Sequence, residues 1–94
     1  VVTLAGNLDI DAWTRRHKYL PLSGSLNPLL QTPLPATIRQ IHIVGADDDN
    51  VYPEFIAGFV KAQSNKADFR LYPHQGHICC WQEAWPDILA GLRQ

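Results

Sequence analysis

Residues 37–46, TIRQIHIVGA, constrain the fold more than any other stretch of the chain. The run alternates at first and then turns apolar, through Ile38, Ile41, Ile43 and Val44. A strand of that kind is buried on both faces, and such strands belong to parallel sheets covered by helices on each side. Two further runs read as strands: VVTLAG, residues 1–6, closed by Gly6, and ADFRLYP, residues 67–73, with Phe69 and Leu71 on one side. The segments between them read as helices. Asp9 is placed to cap one over IDAWTRRH, whose basic residues fall near its end, where the helix dipole favours them. Pro53 suits the first position of a second, PEFIAGFVKAQSN, with Phe55, Ile56, Phe59 and Val60 on one face. A last helix, over residues 80–93, stacks Trp81, Trp85, Ile88, Leu89 and Leu92, and Pro86 predicts a bend or a start delayed to that point.

This alternation predicts an α/β protein: a three-stranded parallel sheet segment with flanking helices. Residues 18–37 interrupt it. Pro21, Pro28, Pro33 and Pro35 stand there with Ser23, Gly24, Ser25 and Asn27, a composition for a long ordered loop. Loops of that length in compact domains are often functional. Three strands make a small sheet, and the chain opens inside one without an initiator Met, so the expectation is a piece of a longer protein.

Composition narrows the partners. With 46% apolar and 18% charged residues the chain reads as folded rather than disordered. A formal charge of −1 gives no reason to expect nucleic acid or an anionic membrane. No apolar stretch approaches the ~20 residues of a membrane span. Arg15, Arg16 and Lys18 form the only basic cluster, read as a solvated helix end. Cys79 and Cys80 are neighbours. Their Cα atoms are held about 3.8 Å apart, against the ~5.5–6 Å of an ordinary disulfide, so two thiols are expected. Cytoplasmic and exported locations both stay open.

The chemistry-bearing residues fall after strands. Asp47, Asp48 and Asp49 follow the carboxyl end of the middle strand, and HQGH, residues 74–77, follows that of the third. Ligands of open parallel sheets gather beyond those ends, so adjacent strands would bring both loops to one rim. There a carboxylate bonded to Nδ1–H would fix an imidazole tautomer and stabilise the imidazolium formed when Nε2 takes a proton. The plain alternative for the triplet is a turn with one Asp capping the next helix. His77 follows Gly76, which favours it over His74 because glycine permits a tight turn. His17 and His42 lack such a setting, and His42 is expected to pack within its strand. Trp13, Trp81 and Trp85 are expected to pack between elements. The spacing H-x-x-H-x-C-C fits no usual zinc pattern and the acidic loop no calcium loop, so neither metal nor cofactor is expected.

GADDDNVYP resembles the acid loop of α/β-hydrolases, roughly Gly-x-x-Asp-x-x-Val with Pro close behind, and HQGHICCW resembles their histidine loop. Acid before histidine is that family's order, with the nucleophilic serine earlier. TLAGNLDIDAW and PLSGSLNP are similar to the region before the acid in esterase-like bacterial members, exported ones included. The resemblance spans nearly all 94 residues as the carboxyl-terminal portion of that fold, its last three strands. It implies a serine hydrolase that transfers an acyl group to water from an ester, thioester or amide, acting on a small-molecule or peptide substrate. Asp48 would orient His77, and His77 would serve as general base and then general acid. Gly45 and Val51 flank Asp48 at the family's spacing, whereas Pro53 comes one residue late and suits Asp49. Some hydrolases carry the acid after the preceding strand, which keeps Asp9 and Asp11 as candidates. Gly-x-Ser-x-Gly is absent, and Ser23 and Ser25 sit in the proline-rich loop. The nucleophile and oxyanion hole would therefore come from the remainder of the parent chain, leaving these residues inactive alone. The rival reading is a non-catalytic α/β module that uses the same rim for binding.

Overall fold

A computed structural model describes residues 1–63 and 67–92. The chain runs β1 (Val2–Leu4), α1 (Ile10–Arg16), β2 (Gln40–Gly45), α2 (Pro53–Ala62), β3 (Ala67–Tyr72) and α3 (Trp81–Leu92). The three strands form one parallel sheet in the order β1-β2-β3. Ile41 pairs with Val2 on one side and with Asp68 on the other, and the register runs on to Gly45 beside Tyr72.

All six residues of β2 are buried, as its apolar run requires. Ile41 and Ile43 point to one face and pack against Ile88 of α3, with Tyr72, Trp81, Ala84 and Leu92 around them. Val44 points to the other and packs with Val51 and Ile56, flanked by Leu8, Trp13 and Val60. Helices thus cover both faces of the central strand. Ile43, Ile56 and Ile88 are fully enclosed, each contributing roughly 1.5–3 kcal/mol of burial.

On the α2 face lies a polar chain that the sequence reading treats as simple packing. His42 is buried edge-on to Phe59. Its Nδ1 accepts from Thr3 Oγ1 (2.7 Å) and its Nε2 donates to Gln40 Oε1 (3.0 Å). Gln40 Nε2 continues to Gln63 Oε1 (3.1 Å), which also accepts from the Leu34 amide (3.1 Å). Burial, then the nearby Val1 ammonium, holds the His42 pKa below its usual range.

Several boundaries differ from expectation. Asp9 caps α1 through Oδ1, which accepts from the Ala12 amide (3.2 Å). The loop of residues 18–37 contains a 3₁₀ turn, Pro28–Leu30, capped by buried Asn27. Positions 64 and 65, read as helix from the sequence, lie outside the described residues, as does position 93. α3 starts at Trp81, so Pro86 does not delay it: the ring sits inside the helix and removes one internal hydrogen bond. Trp85 and Leu89 are exposed rather than stacked in the core, and so are Phe69 and Leu71 of β3. No helix among the described residues is long and apolar enough to cross a membrane.

Candidate active site

The loops after β2 and β3 leave the same edge of the sheet and meet. The acid loop begins with a turn in which the Asp48 amide donates to Gly45 O (3.1 Å). That turn sends Asp48 inward while Asp47 and Asp49 stay exposed. Asp48 is 2% exposed. Its Oδ1 accepts from the amides of Asn50 (2.9 Å) and Val51 (2.8 Å), and its Oδ2 from His77 Nδ1 (3.0 Å). Three donors thus satisfy a carboxylate that is shielded from water.

His77 is the more open partner, with 35% of its side chain exposed. A carboxylate oxygen accepts only, so Nδ1 carries a proton and the neutral ring leaves Nε2 bare. Among the described residues the ring bonds Asp48 alone. The loop that carries it is tied at several points. Trp81 Nε1 donates to the carbonyls of Gly76 (3.1 Å) and His77 (3.2 Å). In the orientation that satisfies both its ends, the Gln75 amide donates to the carbonyls of Cys79 (3.1 Å) and Cys80 (2.8 Å). Cys79 and Cys80 are joined as a disulfide where two thiols were expected.

The glycine that matters is not the one the sequence pointed to. Gly76 has no positive φ; His74 (62°) and Cys80 (83°) take the left-handed conformations instead. A Cβ at Gly76 would meet nothing closer than Cys79 Cβ, at 3.9 Å. At Gly45 a Cβ would strike the Gln75 carbonyl group, 2.6 Å from its carbon. The histidine loop lies directly on the end of β2 there, sealed by Asp47 N to Gln75 O (2.9 Å) and Ala46 N to Tyr72 O (2.8 Å).

The remaining candidates lie elsewhere. His74 and Asp49 are exposed. Asp9 is engaged at the α1 cap, where Asn27 Nδ2 also donates to it (3.1 Å), and Asp11 sits in the first turn of α1. Ser23 and Ser25 are exposed in the long loop. No three His, Cys, Asp or Glu side chains converge as metal ligands among the described residues. Sequence reasoning passed over His17, whose Nε2 donates to Asn50 O (2.7 Å), and Trp13, whose Nε1 donates to Asn50 Oδ1 (3.1 Å). The available signal was the position of α1, which follows β1 and so borders the same rim. Compared with family models, curated proteins and solved structures, the chain matches none.

Proposed function

We propose that the His77–Asp48 pair is the base and orienting acid of a serine hydrolase of α/β-hydrolase type, the 94 residues being its carboxyl-terminal portion. One observation carries this reading: a fully buried carboxylate holds Nδ1–H of a partly exposed imidazole at 3.0 Å and leaves Nε2 bare. Such a ring takes a proton from an attacking hydroxyl at Nε2, and the carboxylate stabilises the imidazolium. The same nitrogen then returns the proton to the leaving group of an ester, thioester or amide. Serine nucleophile and oxyanion donors come from sequence outside these residues. Exposed Val2 and Leu4 on β1 and Phe69 and Leu71 on β3 fit strands of a wider sheet.

The test uses the full natural polypeptide and a fluorophosphonate, which esterifies activated serines. One serine should be labelled, with labelling lost in His77→Ala. Asp48→Asn should lower turnover by about 10⁴-fold, because the amide presents N–H to Nδ1 and selects the wrong tautomer. Labelling that is absent, or that survives His77→Ala unchanged, contradicts the reading.

A further inference from the structure

The amide that holds Asp48 is itself held from behind. Asn50 C=O and Val51 N–H belong to one planar trans peptide, so they point in opposite directions. On the N–H side, Val51 donates to Asp48 Oδ1 (2.8 Å); on the C=O side, His17 Nε2 donates to Asn50 O (2.7 Å). Because a carbonyl only accepts, His17 Nε2 carries a proton. The bonds run unbroken from the His17 ring through the peptide and the Asp48 carboxylate to His77 Nδ1. Trp13 Nε1 grips the Asn50 side chain (3.1 Å), and the Asn50 amide supplies the second bond to Oδ1 (2.9 Å). His17 is fixed in turn by aromatic neighbours, with ring centroids of Trp13, Tyr19 and Tyr52 at 5.1, 5.8 and 6.0 Å.

We infer that His17 is a positioning residue for the Asp48–His77 pair, acting through the Asn50–Val51 peptide, with Trp13 as its second grip. A peptide whose carbonyl is already bonded is a better N–H donor, since bonds in such a chain polarise one another. Loss of the His17 donor frees that plane to rotate, which loosens the carboxylate and then the imidazole it holds. The inference rests on the hydrolase reading for its catalytic meaning.

NMR of the full natural polypeptide tests it through two protons: the Val51 amide and Nδ1–H of His77. His17→Phe keeps an aromatic ring against Trp13, Tyr19 and Tyr52 and deletes the donor; His17→Gln restores a donor; Tyr19→Leu disturbs the aromatic cluster without touching Asn50. His17→Phe should speed Val51 amide exchange about tenfold, as loss of a hydrogen bond of ordinary strength does. It should also shift and broaden the His77 Nδ1–H signal, and His17→Gln should recover both readouts. Tyr19→Leu should leave both in place. Unchanged signals in His17→Phe overturn the inference, and so does an equal change in Tyr19→Leu. If His17→Phe does not fold, the Trp13→Phe variant is decisive: the Asn50 amide must exchange faster, and an unchanged rate overturns the clasp. Asp48→Asn separates the two levels. If it leaves the His77 proton untouched, the hydrolase reading fails; if it removes that proton while His17→Phe does nothing, only the positioning role fails.

Discussion

His42 stands on the central strand of the sheet and His77 on the rim beyond its third strand, and the two differ in what decides the use of an imidazole. His42 lies inside, with both nitrogens engaged by neutral groups, Thr3 and Gln40. His77 lies on the rim, with one nitrogen on a buried carboxylate and the other bare. The first has its tautomer fixed and no nitrogen left for a ligand. The second also has its tautomer fixed, but by a buried carboxylate, and its other nitrogen stays without a partner among the described residues. The contrast gives His42 a part in cohesion and leaves His77 a nitrogen free for the proposed chemistry, and mutation should separate the two.

The largest effect is expected at neither histidine but at the junction that sets the rim. Gly45→Ala should cost about 3 kcal/mol or more, because backbone is what the new methyl group meets. Gly76→Ala, with ordinary φ and open space, should be neutral or stabilise by about 0.5 kcal/mol. Chemical denaturation measures both, and equal losses would show that the loops do not meet as described. His42→Leu should follow at about 2 kcal/mol, since Thr3 and Gln40 lose their partner inside the protein.

His42 also sets a pH dependence. Its folded pKa lies below the ordinary 6.5, so the unfolded chain binds more protons in the window between the two values. Stability from this group is therefore complete above pH 6.5 and falls as pH drops through that window. Denaturation at pH 7.5 and at about pH 5 should show a shallower loss in His42→Leu than in the natural chain. An identical slope would remove His42 from the acid response. His77→Ala should cost less than His42→Leu, about 1 kcal/mol, because Asp48 loses one donor but keeps the Asn50 and Val51 amides. A loss there as large as at His42 would erase the distinction between the two.

Much of the fold was legible because β2 and its neighbours carry period and punctuation together. Ile41, Ile43 and Val44 in one short run, Pro53 at a helix start and Asp9 at a cap are local signals, and each element lies close to where they put it. The pairing of Asp48 with His77 was legible through topology, since parallel neighbours share a rim. What escaped depends on contacts between distant backbones. The close approach of Gln75 to Gly45 cannot be read from either loop alone, whereas Gly76 stands out in sequence because it precedes the histidine. His17 was missed for a similar reason: its partner is a main-chain carbonyl, which leaves no mark in sequence. The burial of His42 was expected, but its chain of bonds to Thr3, Gln40 and Gln63 was not.

The most direct measurement is the tautomer of neutral His77, read from long-range proton–nitrogen correlations of the labelled chain at mildly alkaline pH. The proton should sit on Nδ1, with Nε2 bare, and should transfer to Nε2 in Asp48→Asn. A ring that already carries its proton on Nε2, and does not respond to Asp48→Asn, would contradict the pairing on which the proposed chemistry stands.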